Sequence, residues 1–252
     1  FDYVLMSAGG GTSKQFAPIF EQAGAIVIDN SSQWRMKKDI DLVVPEVNEP
    51  HFKRGIIANP NCSTIQSVVP LRVLQEKFGL KRVAYTTYQA VSGSGIKGKR
   101  DLAEGANGKA PEAYPHPIYN NVLPHIDIFL EDGYTKEEQK MIDETRKILN
   151  EPDLRVTATC ARVPVQDSHS VEIDVTLIEE ATTEEIKALF DKDPRVVLVD
   201  NPANNEYPLA IHSTGKDEVF VGRIRRDDSL ENTFHVWCTS DNLLKGAALN
   251  AV

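Results

Sequence analysis

The stretch GIIANPNCSTIQSVVPLRVLQEKFG, from Gly55 to Gly79, decides how the chain is read. It opens on a short apolar run, breaks at Asn-Pro-Asn, and resumes with apolar residues at 65, 68, 69, 71, 74 and 78. That spacing is helical, Ser63 or a neighbour stands where an N-cap belongs, and Gly79 supplies the stop. A short buried strand that turns straight into a helix is half of a βαβ unit. Cys62 falls at the turn, where the helix is expected to begin. A thiol there would feel the positive end of the helix dipole, which favours thiolate, and free N–H groups that can hold an oxyanion. A lone cysteine is otherwise a small core filler. The Asn-Cys-Ser-Thr setting speaks for the reactive reading.

Working outward, the segments before it repeat the same grammar. DYVLMSAGG reads as a strand, SKQFAPIFEQAG as a helix ending on Gly24, AIVIDN as a second strand, and LVVPEVN as a third short apolar run. Short apolar runs separated by helices and Gly/Asn/Pro turns predict a parallel sheet. Beyond Gly79 the pattern changes. RVAYTTYQAV, RVTATCARVPV, SVEIDVTLI, RVVLVD, EVFVGRIRR and TFHVWCTSD are longer and often alternate, as half-buried strands of an antiparallel or mixed sheet do. Two helices are expected between them, TKEEQKMIDETRKIL capped by Thr135 and TTEEIKALF capped by Thr182 or Thr183. Residues 93–117 read as a loop with a surface helix, and DNLLKGAALNAV as a last helix.

The 252 residues carry a net charge of −9, so no basic surplus exists for nucleic acid, although a local cluster can still bind a small anion. Cys62, Cys160 and Cys238 lie far apart without CxxC spacing. That argues against a zinc site or a disulfide framework and for a reducing compartment, here the cytoplasm. No apolar run is long enough for a bilayer, and no signal peptide is visible. The opening FDYVLMSAGGG reads as a strand already inside a fold.

A thiolate nucleophile needs a partner, and His51, His116, His125, His169, His212 and His235 are available. His169 stands out in CARVPVQDSHS, a strand and turn that also carries Arg162 and can place a cation and an imidazole on one wall. A surface pair on a strand is the plain alternative.

Eight stretches in series, DNSSQWRM, PEVN, NPNCST, TYQAVSGSG, GYTKEEQKMIDETRKIL, RVPVQDSHS, FVGRIRRD and SDNLLKGAALNAV, resemble the aspartate-β-semialdehyde dehydrogenase family. The resemblance runs over essentially the whole chain. It implies an α/β plus α+β fold, a Rossmann-type dinucleotide-binding part joined to a catalytic and dimerisation domain like that of glyceraldehyde-3-phosphate dehydrogenase. Residues 1–62 with 240–252 would form the first and 63–239 the second. The implied reaction is the reversible, NADPH-dependent reductive dephosphorylation of aspartyl phosphate to aspartate semialdehyde through a Cys62 thioester. It serves the biosynthesis of lysine through diaminopimelate, and of methionine, threonine and isoleucine.

By position, Cys62 matches the family's nucleophile and His169 its acid/base residue. Gln89 matches the acyl-orienting glutamine, Arg162 the grip on the substrate carboxylate, and Glu137 the partner of its amino group. Arg35 and Lys140 match the phosphate cations, with Asn61 beside them, so that a basic pocket is expected on an acidic protein. Without the resemblance, Glu137 and Lys140 read as a solvated helix pair. Ser7, Ala8, Gly9, Ser92, Gly93 and Asn242 match segments lining NADP, while the family's glycine-rich phosphate fingerprint would lie upstream of position 1. No metal, nucleic acid or membrane partner is implied; a homodimer or homotetramer is. The rival readings are N-acetyl-γ-glutamyl-phosphate reductase and a non-catalytic dimerisation and substrate-binding module.

Overall fold

The computed structural model describes residues 1–51 and 55–252. Strands β1 (Tyr3–Met6), β2 (Ile26–Asp29), β3 (Asp41–Leu42) and β4 (Gly55–Ala58) form a parallel sheet in the order β1-β2-β4-β3. Helix α1 (Gly10–Gln22) connects the first two, and Ala17 on its inner face packs with Met6, Val27 and Ile56. The run LVVPEVN contributes only the end of β3 before turning.

From β4 the chain passes through Asn-Pro-Asn into α2 (Cys62–Phe78). This helix is buried nearly all round, Ile65, Val68, Val69, Leu71, Val73 and Leu74 among its core residues, which is why its apolar positions exceed a single stripe. Its N-cap is Asn61 rather than Ser63, because the Asn61 side chain accepts the N–H groups of Ser63 and Thr64. Pro70 inside the helix has no N–H for the Gln66 carbonyl, and the buried Cys238 thiol donates to that oxygen at 3.3 Å instead. Gly79 ends the helix at φ 67°, as the sequence predicts.

The second sheet is six-stranded and mixed: β5 (Leu80–Gln89), β6 (Arg155–Arg162), β7 (His169–Leu177), β8 (Val197–Leu198), β9 (Phe220–Arg226) and β10 (Thr233–Ser240), in the order β6-β5-β7-β10-β9-β8. One face, with Val83, Tyr85, Val171, Ile173, Phe234 and Val236, packs in the main core with α2, α4 (Lys136–Leu149) and α5 (Thr183–Lys192). The other face presents Tyr88, Glu172, His235 and Trp237, with the Tyr88 and Trp237 rings 5.4 Å apart. Surface helix α3 (Gly95–Gly105) and the short α6 (Ala210–Ser213) are the other α-helices among the described residues. The expected terminal helix is instead a π turn, Leu244–Ala248, followed by a 3-10 turn, Leu249–Ala251. It is tied to the parallel sheet where Asn250 donates to Val43 O and Asn59 Oδ1. No helix among the described residues is long and apolar enough to cross a membrane.

Thr135 and Thr182 each close a capping box, with Glu138 and Glu185 respectively. The first matters for the cleft, since α4 supplies one of its walls. Thr135→Ala is expected to cost about 1 kcal/mol, read as a lower urea midpoint at constant m value; an unmoved midpoint would show that packing alone holds the helix start.

Candidate active site

The turn before α2 places Cys62 on the cleft floor, and β7 begins at His169 directly across from it. Cys62 Sγ lies 3.2 Å from His169 Nε2. The imidazole is fully buried, and its Nδ1 accepts the backbone N–H of Ala90 at 3.0 Å. A neutral ring that accepts at Nδ1 carries its proton on Nε2, so it is the N–H that faces sulfur. The carbonyl of the same residue, Ala90, accepts Arg162 Nη1 at 2.7 Å. One residue's backbone thus sets both the tautomer of His169 and the direction of Arg162.

Electrostatics reverse the expectation for the thiol. Burial, then the Glu137 carboxylate, push Cys62 up to about 11, against the opposing pull of Arg162, Arg35 and the Ser63 N–H. The magnitudes explain the outcome: a helix dipole is worth about 0.3–1 kcal/mol, under one pKa unit, whereas burial can shift a group by several units. His169 is held well below its ordinary value by burial and by the Arg162 cation. The resting pair is therefore a neutral thiol beside a neutral imidazole.

The opposite wall comes from α4. Glu137, buried, accepts Asn61 Nδ2 at 2.8 Å and Gln89 Nε2 at 3.2 Å on Oε1, and Lys140 Nζ at 3.2 Å on Oε2. It is no solvated helix pair; it joins the N-cap of α2, the end of β5 and α4. Lys140 also donates to Asp127 at 2.7 Å. Arg35 donates to Glu144 Oε1 and to the Asn30 carbonyl, both at 3.0 Å. The expected basic pocket is corrected accordingly: Arg35, Lys140 and Arg162 are opposed locally by Glu137, Glu144 and Asp127, so the cleft is closer to charge balance. Glu144 was absent from the residues singled out by sequence. It lies four residues after Lys140 and seven after Glu137, on the same helix face, and that spacing was the available signal.

Asn30, Arg35, Asn61, Cys62, Ser92, Gly93, Lys140, Asn242 and Gly246 are among the residues lining one cavity of about 300 Å³. Asn242 Oδ1 accepts the Ser168 N–H at 2.9 Å, and its amide pairs with Ser92 Oγ. Two glycines keep this cavity open beside the reacting atoms. A Cβ on Gly93 would stand 3.1 Å from Arg162 Nη1 and 3.4 Å from His169 Cε1, and one on Gly246 would stand 3.1 Å from Cys62 Cβ. A side chain at either position would crowd the reacting groups. Ser7, Ala8 and Gly9 are brought elsewhere, exposed at the carboxyl end of β1 and outside this cavity's lining. There α1 starts without a side-chain cap or an acid in its first turn, a setting that favours an anionic group at the carboxyl ends of parallel strands.

Residues 71–245 match the family profile described as semialdehyde dehydrogenase, dimerisation domain, and residues 1–55 the one described as semialdehyde dehydrogenase, NAD binding domain. The chain belongs to the semialdehyde dehydrogenase family. It is 52% identical to aspartate-semialdehyde dehydrogenase of Aquifex aeolicus, over all of this chain and 77% of that protein. The Bacillus subtilis enzyme of the same name is 47% identical over 98% of this chain and 76% of its own length. Aspartate semialdehyde dehydrogenase II of Vibrio cholerae, in a crystal structure complexed with ASA, superposes with a TM-score of 0.93 at 41% identity, covering 99% of this chain and 76% of that one. The Candida albicans enzyme with NADP superposes at 0.77 and 26% identity, covering 99% and 75%. Membership of this semialdehyde dehydrogenase family bears out the expected α/β plus α+β architecture.

In the protein without substrate, alkylation of Cys62 by iodoacetamide should be slow at neutral pH and climb with pH toward an inflection near 11. Peptide mapping at each pH reads it. An inflection below 8 would mean that the dipole and cations outweigh burial after all.

Proposed function

We propose that this chain is the catalytic body of an aspartate-semialdehyde dehydrogenase, interconverting aspartyl phosphate and aspartate semialdehyde with inorganic phosphate and NADP(H). The observation that carries the reading is the Cys62–His169 contact at 3.2 Å, flanked by Arg162 on one side and by Arg35 and Lys140 on the other. A substrate with a carboxylate at one end and a phosphoryl group at the other would be held by both ends. The planar guanidinium of Arg162, whose Nε is buried without a partner, suits the carboxylate. Arg35 and Lys140 take the phosphate, Glu137 the ammonium, and Gln89, held against Glu137, the acyl oxygen.

Bound substrate changes the thiol's surroundings: an ammonium beside Glu137 cancels one of the two influences that keep Cys62 protonated. Sulfur then bonds to the acyl carbon, the carbon–oxygen bond to phosphate breaks, and the thiol proton leaves with the phosphate. His169 steadies the sulfur's developing charge through its Nε2–H. We assign it the donor half of the acid/base role, because the Ala90 N–H occupies Nδ1. A bound nicotinamide dinucleotide supplies the hydride that reduces the thioester, and Ser92, Gly93 and Asn242 would hold its reactive end. Hydride addition leaves a hemithioacetal oxyanion. When it collapses to the aldehyde, the carbon–sulfur bond breaks with its electron pair going to sulfur beside the His169 Nε2–H, and one proton taken up from solvent restores the thiol.

NADP is favoured over NAD by likeness to the Candida enzyme, and the product feeds the lysine, methionine, threonine and isoleucine branches. Residues 1–62 with 240–252 serve the dinucleotide and 63–239 catalysis and pairing. The open sheet face with Tyr88, Glu172, His235 and Trp237 takes a second copy to form a homodimer, in keeping with the dimerisation-domain match.

The test is phosphate-dependent oxidation of aspartate semialdehyde, with N-acetylglutamate semialdehyde run in parallel. Cys62→Ala should abolish it. His169→Gln, which keeps an N–H within reach of sulfur, should retain at least about tenfold more activity than His169→Ala, the worth of one charge-assisted hydrogen bond. Full activity without Cys62, or preference for the longer semialdehyde, would refute the reading.

A further inference from the structure

The phosphate side of the cleft contains a carboxylate to which the proposed reaction gives no part. Glu144 is 1% exposed, and its two oxygens are spent on different elements. Oε1 accepts Arg35 Nη1 at 3.0 Å, and Oε2 accepts the backbone N–H of Asn61, the residue before Cys62, at 2.6 Å. Arg35 follows the second strand of the parallel sheet, while Asn61 caps the helix that carries the thiol. Glu144, on α4, belongs to neither. One helical turn further on, Lys147 Nζ donates to the carbonyls of Arg35, Lys37 and Ile40 at 2.7, 2.6 and 2.7 Å. The same helix therefore clamps the Arg35 segment by its backbone and Arg35 itself by its guanidinium.

We infer that Glu144 is a positioning residue for phosphate, a fixed strut that keeps the Arg35 guanidinium in register with the sulfur by bonding Arg35 and Asn61 at once. The inference rests on the proposed reaction. Geometry supports it twice over. Arg35 Nη1 is aimed by Glu144 and Nη2 by Asn30 O, so partners from two different elements fix the direction in which the guanidinium faces the cleft. Phosphate and sulfur must also meet within bonding reach of one acyl carbon, and misplacement by an ångström is enough to lose large factors in rate.

Removing the charge would confuse positioning with the Coulomb field at the phosphate, because the lost carboxylate would also leave Arg35 more attractive to an anion. Glu144→Asp avoids this. It keeps the charge but is one methylene shorter, and cannot span Arg35 and Asn61 together. In the phosphate-dependent oxidation of aspartate semialdehyde, this variant is expected to raise the phosphate KM about tenfold, as for one charge-assisted bond lost, with the semialdehyde KM changed less than about twofold. Added to Arg35→Gln, it should raise the phosphate KM no further, since the strut has nothing left to aim. A parallel rise in both KM values, or effects that multiply in the double variant, would overturn the inference. Wild-type enzyme measured alongside separates the two levels: if it shows no phosphate-dependent oxidation, the proposed reaction fails, not the strut.

Discussion

The contact between Cys62 sulfur and the His169 Nε2–H is the constraint that the rest of the structure serves. It joins two chain segments 107 residues apart, one at the mouth of a helix and one at the start of a strand. Holding them at 3.2 Å takes an asparagine cap on one side and the Ala90 peptide on the other. The first support is the Asn61 side chain, itself held by Glu137, and the second is a backbone N–H, so the pair is aligned from both segments. The Cys238 thiol, filling the gap left by Pro70, keeps the helix beneath Cys62 intact where a proline would otherwise leave a bare carbonyl.

The resting pair is chemically quiet. Burial raises the thiol and lowers the imidazole, so neither carries charge until something enters the cleft. A standing thiolate at Cys62, which lines the cleft, would be open to oxidation and adventitious electrophiles. The neighbouring ion pairs follow the same logic. Arg35 with Glu144, and Lys140 with Glu137 and Asp127, rest in partnership, which avoids uncompensated buried charge. An anion arriving between Arg35 and Lys140 draws on cations already in place.

Much of this was legible in the sequence, and the failures have physical causes. Gly79 and Thr135 marked helix ends correctly, and Thr182 or Thr183 bracketed a third, because a stop or a cap is a local matter, decided within a few residues. The cap of α2 was left open between Ser63 and its neighbours, since Asn61 and Ser63 are both good cap residues, and in the fold it is Asn61 that accepts the Ser63 and Thr64 N–H groups. The ionisation of Cys62 could not be read from its neighbours. The dipole is visible in sequence, but the burial and the Glu137 charge that outweigh it come from elements remote in the chain, the Gly246 turn packed on Cys62 among them. Arg35 was readable as a cation but not as a paired one, and Lys140 as paired with Glu137 alone, because Glu144 and Asp127 reach them only in the fold. The tail after β10 carries helix-forming residues, yet it is wound as a π turn to bring Asn250 to Asn59 and the parallel sheet.

The most direct measurement of the central claim is to trap the covalent enzyme. Protein incubated with aspartate semialdehyde and NADP⁺ but without phosphate has no acceptor for the acyl group. Acid quenching and peptide mass mapping should then find an aspartyl adduct on the peptide containing Cys62. An unmodified Cys62 peptide, or an adduct on Cys160 or Cys238 instead, would contradict the account.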